Sequence, residues 1–192
     1  DIHSGLNNGQ PSDLTAIGST LYFRASDGTN GAELWKSDGT ASGTVMVKDI
    51  YSGGSTSSSS PNRLTAVGNT LYFRAGDGIN GQELWKSDGT ASGTVMVKDI
   101  NPTSNRGGSH PDYLTAIGST LYFRAGDGTN GDELWKSDGT ASGTVMVKDI
   151  NSEVSAVIST NSQLLVAPSI SEPGTQPTNT NCGRAMELLQ AQ

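Results

Sequence analysis

The chain has 192 residues, with 12 Lys and Arg against 19 Asp and Glu, and a net charge of −7. That balance, free of any block of five like charges, excludes a surface built for nucleic acid or anionic lipid, since both need clustered Lys and Arg. Apolar residues make up 33%, a share low enough for disorder, yet they return in register as short runs, which predicts a small all-β core.

The first residues, Asp1-Ile2, repeat the Asp-Ile that closes each of three blocks, Pro11–Ile50, Pro61–Ile100 and Pro111–Ile150. Thirty-three of the forty positions in these blocks are identical in all three. A fixed period near fifty means one supersecondary unit copied in tandem. The opening Asp-Ile then reads as the end of an earlier repeat, left by processing or by excision from a longer array.

Within a block the first strand is expected at Leu14–Ile17, closed by Gly18. The second, Thr20–Ala25, holds the unbroken triplet Leu21-Tyr22-Phe23. Asp27-Gly28 and Asn30-Gly31 are strong turn dipeptides because glycine accepts positive φ. Glu33–Lys36 is the third strand. Asp38-Gly39 and Gly43 make the next reversal, and Thr44–Ile50 is the fourth strand. A sheet with one wet face alternates apolar and polar residues. Leu21-Tyr22-Phe23 and Val45-Met46-Val47 do not alternate, so both faces of these strands should meet apolar partners. Stacked propeller blades do this, and a four-stranded blade fits the period. A β-trefoil is the alternative.

Residues 1–150 therefore read as three tandem β repeats. Residues 151–168 carry a faint half repeat, Ser155-Ala156-Val157-Ile158 and then Gln163-Leu164-Leu165-Val166-Ala167, suited to donating a strand to a neighbour. Residues 169–192 read as a linker-like tail rich in Pro, Thr and Asn. The lone Cys182 permits no intrachain disulfide. The N-terminus has neither the basic start nor the apolar stretch of a signal peptide, and no apolar run approaches membrane-spanning length. Richness in Ser, Thr, Gly and Asn suits an extracellular protein.

Three features invite a chemical reading. Asp27, Asn30 and Glu33, with Asp77, Asn80, Glu83 and Asp127, Asn130, Glu133, place oxygen ligands on a Gly-rich turn, which suits calcium. The simpler reading is a hairpin whose Asp and Asn cap their own backbone. Asp38-Gly39, Asp88-Gly89 and Asp138-Gly139 read as structural turns fixed by the Asp side chain. Trp35 with Glu33, Trp85 with Glu83 and Trp135 with Glu133 would share a face if the strand alternates. An exposed pair of that kind stacks on a sugar, whereas a buried one packs repeat on repeat with its indole N–H satisfied. Tyr22 and Arg24 share a face by the same logic.

No phosphate loop, zinc spacing or nucleophile elbow occurs. His3 and His110 occupy unrelated linker positions. Three positions differ in every copy: Ser12/Asn62/Asp112, Asp13/Arg63/Tyr113 and Ala32/Gln82/Asp132. Identity elsewhere says little about function, because recent duplication copies core and surface alike.

The motif ELWKSDGTASGT at Glu33–Thr44, Glu83–Thr94 and Glu133–Thr144 resembles the bacterial repeat family named for its ELWxxDGT signature. The resemblance covers about residues 1–150. It implies a secreted or surface-associated bacterial protein built of propeller-like repeats.

Three blades do not close a ring, and open sheet edges invite pairing. The expected function is thus structural or adhesive, non-enzymatic and without a cofactor, with copies of the chain as partners and filaments as one outcome. A multivalent lectin for surface glycans, using the three tryptophans, is the alternative.

Overall fold

In the computed structural model, residues 1–3, 8–103 and 107–150 are described. They form twelve strands and, among the described residues, no helix. The first repeat gives β1 (Ser12–Ile17), β2 (Thr20–Ser26), β3 (Ala32–Ser37) and β4 (Val45–Lys48). The second gives β5 (Asn62–Val67), β6 (Thr70–Gly76), β7 (Gln82–Ser87) and β8 (Val95–Lys98). The third gives β9 (Asp112–Ile117), β10 (Thr120–Gly126), β11 (Asp132–Ser137) and β12 (Val145–Lys148).

Each repeat is its own antiparallel four-stranded sheet, with strands in sequence order. The sheets are open, and strands are not exchanged between repeats as the trefoil alternative requires. The half repeat expected at 151–168 and the tail at 169–192 lie outside the described residues.

The strands follow the sequence closely, with two instructive differences. The first strand begins earlier, at Ser12, because a β-bulge lets the chain keep pairing past an irregular step between Ser12 and Thr15. The fourth is shorter than Thr44–Ile50. Thr44 is held in the preceding turn through its hydroxyl, which donates to the Thr40 carbonyl at 2.7 Å, while the Ile50 N–H turns aside to a carboxylate.

The unbroken apolar triplets are explained by two apolar faces. Tyr22, Leu34, Val47 and Ile50 project forward and pack with Leu71, Phe73, Ala75 and Trp85 of the next sheet. The second interface repeats this, with Tyr72, Leu84, Val97 and Ile100 against Leu121, Phe123, Ala125 and Trp135. At the rear of the first sheet, Phe23, Ala25 and Trp35 pack with Ile2, Leu21 and Met46. Ile2 thus takes, against repeat 1, the seat that Ile50 takes against repeat 2.

Polar contacts tie the same interfaces. Lys36 Nζ donates to the Gly89 carbonyl and Lys48 Nζ to the Thr94 carbonyl, both at 2.8 Å. Lys86 and Lys98 do the same to Gly139 and Thr144 at 2.8 and 2.9 Å. The Tyr22 hydroxyl lies where a Cβ on Gly89 would come within 2.3 Å, and Gly89 has φ of +87°, so no other residue fits there. Near the first strands, the Thr15 hydroxyl donates to the Leu64 carbonyl at 3.1 Å.

The third sheet carries the same forward face without a fourth sheet among the described residues. Leu34 and Leu84 are fully buried, whereas Leu134 is 41% exposed. Leu84→Ala is therefore expected to cost roughly 2–5 kcal/mol, as for other buried leucines, and Leu134→Ala less than about 1 kcal/mol. Urea unfolding of both variants at low protein concentration checks this.

Candidate functional site

The carboxylates expected beside the tryptophans are not on the surface. Glu33 and Glu83 are fully buried. Glu33 Oε1 accepts from the Ser59 N–H at 2.8 Å, and Oε2 accepts from the Ile50 N–H at 3.0 Å and the Ser59 hydroxyl at 2.5 Å. Glu83 makes the same three bonds with Ser109 and Ile100, at 2.7, 2.6 and 3.2 Å. Glu133 accepts from the Ile150 N–H at 3.0 Å. The glutamate is a clasp: it joins its own third strand, the end of its own fourth strand and the linker that leads into the next repeat.

Ser59 and Ser109 were not singled out by sequence reasoning, although a signal for them exists. They are the one position at which the linkers Tyr51–Ser60 and Asn101–His110 agree. Their carbonyls accept from Gly76 and Gly126, each at 3.0 Å, so the clasp also sets the start of the next sheet's pairing.

Burial pushes both clasp carboxyls up, against the hydrogen bonds from serine and isoleucine that favour the charged form. Glu83 reaches about 7, and Glu33 is raised in the same direction.

Trp35, Trp85 and Trp135 are buried at 8%, 6% and 6% exposure. Each lies opposite the phenylalanine of the second strand, Phe23, Phe73 or Phe123. The solvent-facing ring beside a carboxylate, which a sugar site needs, is not formed at these residues. Trp85 and Trp135 pack against the preceding repeat and Trp35 clusters with Phe23, Ala25 and Ile2, with one departure from expectation: all three indole N–H groups are buried without a hydrogen-bond partner. Lys98 Nζ stands 5.8 Å from the centre of the Trp135 ring, a cation–π contact across the second interface.

The Asp27 turn keeps its oxygens for itself. Oδ1 accepts from the Thr29 and Asn30 N–H groups at 2.8 Å each, and Oδ2 from Asn30 Nδ2 at 2.7 Å. Asp77 with Asn80 and Asp127 with Asn130 are the same. Burial raises the Asp27 carboxyl, but these bonds outweigh it and hold the group below its ordinary range. Glu33, the third oxygen source in the calcium reading, is turned into its clasp, so the set of three is not brought together. Among the described residues, no cluster of three or more His, Cys, Asp or Glu could hold a metal.

In the second reversal, Asp38 Oδ1 accepts from the Thr40 N–H at 2.9 Å and the Thr40 hydroxyl at 2.7 Å. Asp88 and Asp138 hold Thr90 and Thr140 in the same way. Gly39, Gly89 and Gly139 carry the positive φ of the turn, at 93, 87 and 89°. These turns present the Gly89 and Gly139 carbonyls that the lysines of the preceding repeat bind. Tyr22, expected to share a face with Arg24, contacts the Gly89 turn at this interface.

The clasps dictate how stability changes with pH. A carboxyl raised from 4.5 to about 7 binds a proton in the folded chain that the unfolded chain has released. Its contribution is whole below about pH 4.5 and is lost as pH rises to about 7, at roughly 1.4 kcal/mol per pH unit while Glu83 alone titrates. Glu33 acts in the same direction. Chemical unfolding at pH 4.5, 5.5, 6.5 and 7.5 should show this fall, and Glu83→Gln should flatten it. Stability that climbs across the window would refute the assignment.

No protein-family model matches the chain, and no curated protein matches it. Among solved structures it is similar to the computationally designed Ika8 protein, at 17% identity and a TM-score of 0.39. That match covers 72% of this chain and 36% of the designed one, so the chain spans little more than a third of its length.

Proposed function

We propose that this is a non-enzymatic structural or adhesive repeat protein of the bacterial cell exterior, which assembles by stacking the forward face of one copy on the rear face of another. The observation that carries the reading is the forward face of the third sheet. Tyr122, Leu134, Val147, Ile150, Lys136 and Lys148 repeat the residues that hold the two internal interfaces, and Leu134, Val147 and Ile150 are 41%, 46% and 72% exposed. Neither lysine has a hydrogen bond or ion pair among the described residues.

The rear of the first sheet supplies the complement. Its Gly39 turn is the same as those of Gly89 and Gly139, yet among the described residues no atom lies within 4 Å of where a Cβ would stand, where the other two meet a tyrosine hydroxyl. Because the blocks are nearly identical, a contact between copies would reuse the internal one: Lys136 on Gly39, Lys148 on Thr44, and Leu134 and Val147 on Phe23 and Trp35. Ile150 would take the seat of Ile2. A leucine-sized side chain gains about 1.5–3 kcal/mol on full burial, so several together, with the lysine contacts, would offset the cost of association by a small margin. The predicted assembly is concentration-dependent, head to tail, and open or closed according to its twist.

The bacterial exterior is supported by the resemblance of the repeated motif and by composition. The absence of chemistry in the proposal is supported by the acids themselves, since the buried glutamates and turn aspartates are spent on the backbone.

Light scattering across a wide concentration range tests the reading. The mass should grow with concentration, and Leu134→Asp with Lys136→Glu should hold the chain monomeric without lowering its melting temperature. A wild-type chain that stays monomeric at millimolar concentration overturns it.

A further inference from the structure

The three positions that differ in every repeat converge on one place in each sheet. Ser12, Asn62 and Asp112 lie opposite Arg24, Arg74 and Arg124 on the neighbouring strand. Ala32, Gln82 and Asp132 lie two residues from the arginine's other partner, Leu34, Leu84 or Leu134. Two-residue alternation puts these side chains on one face, within reach of the arginine. The remaining position, Asp13/Arg63/Tyr113, belongs to the adjoining bulge, with φ of 53, 59 and 54°. That backbone is disfavoured for residues other than glycine, asparagine and aspartate. Three copies keep the strained conformation while the side chain changes, as a bulge that re-aims a residue at a site would do.

The repeats are graded around an unchanging arginine. In repeat 3 the site is filled from within. Arg124 Nη2 lies 3.6 Å from Asp112 Oδ2, Arg124 Nε lies 3.7 Å from Asp132 Oδ2, and its guanidinium stands 5.1 Å from the Tyr113 ring centre. Arg63 Nε binds the other Asp112 oxygen at 2.8 Å. In repeat 2 both acids are carboxamides, and Asn62 Oδ1, Arg74 Nε and Gln82 Oε1 are all buried without a hydrogen-bond partner, although the Arg74 charge is felt by Asp112 of the next repeat. Three orphaned polar atoms at one locus call for a bound polar group. In repeat 1 both acids are gone, replaced by Ser12 and Ala32. Arg24 has no hydrogen bond, ion pair or ring contact among the described residues. It lines a cleft of about 270 Å³ together with Gln10, Ser12, Ser26 and Ala32, and among the described residues no acid borders it.

We propose that the Arg24 cleft binds a small organic carboxylate, which enters where Asp112 and Asp132 stand in repeat 3. The planar guanidinium fork matches a carboxylate with two parallel hydrogen bonds. The Ser26 hydroxyl accepts from the Gly28 N–H at 3.2 Å, which leaves its own proton for the ligand. The cleft is slightly smaller than the usual ligand site, which suits a ligand no larger than an acidic amino acid or a sugar acid. Arg24 shares the forward face of the first sheet with Tyr22 and Leu34, a face that the proposed contact between copies does not use, and the test is run on monomeric protein.

The experiment is calorimetric titration of the full chain with glutamate, glucuronate, sulfate and glucose, at low ionic strength. Glutamate, glucuronate or both should bind at one site per chain, and which of them binds identifies the source. Arg24→Gln should weaken binding by about tenfold or more, the worth of a charge-assisted pair. Ser12→Asp with Ala32→Asp installs the residues of repeat 3, which the fold already accommodates, and should abolish binding by filling the cleft from within. Asp112→Ser with Asp132→Ala should open a second site and raise the stoichiometry to two. No binding of either carboxylate, sulfate or glucose binding as tightly, or indifference to the filling and opening pairs each overturns the proposal.

Discussion

Every sheet in this protein is apolar on both sides, and that constraint governs the rest. Tyr22, Leu34 and Val47 face one way while Phe23, Trp35 and Met46 face the other, so no repeat can be wet on either face without loss. Burial in short strands with few large residues then depends on neighbours more than on any single core. The lysines add direction. Lys36, Lys48, Lys86 and Lys98 each reach forward to a carbonyl of the following repeat, so the stack has a polarity that a purely apolar contact would lack.

The buried glutamates solve a second problem, that of joining repeats whose linkers share almost no residues. A carboxylate inside a protein is costly unless its lone pairs are met. Here three donors from two segments meet them, so the group that is hardest to bury fixes the linker most tightly. The same arrangement leaves a charge that is sensitive to pH at each junction.

Much of this was legible in the residues. Copying at a fixed period, the turn dipeptides and the unbroken apolar triplets led to four-stranded units with two apolar faces, because those features follow from backbone period and glycine φ. Glu33 was misplaced for a definite reason. Strand alternation puts it beside Trp35, but it says nothing about a linker that returns 26 residues later to bring Ser59 against it. The convergence of Ser12, Arg24 and Ala32 was hidden likewise, since it needs the register of three strands at once. The orphaned tryptophan N–H groups have no trace in the sequence.

Because Glu33 holds Ser59 and Glu83 holds Ser109, the stretches between each fourth strand and its serine are closed at both ends. Tension along the chain passes through the clasp. Ser58 and Gly107 accept from the third-strand N–H groups of Ala32 and Gln82, so within the first linker it is residues 52–56 that are relieved of any duty in positioning sheets. They are places where length and chemistry can drift, or foreign peptide be inserted, while the stack beneath stays in step.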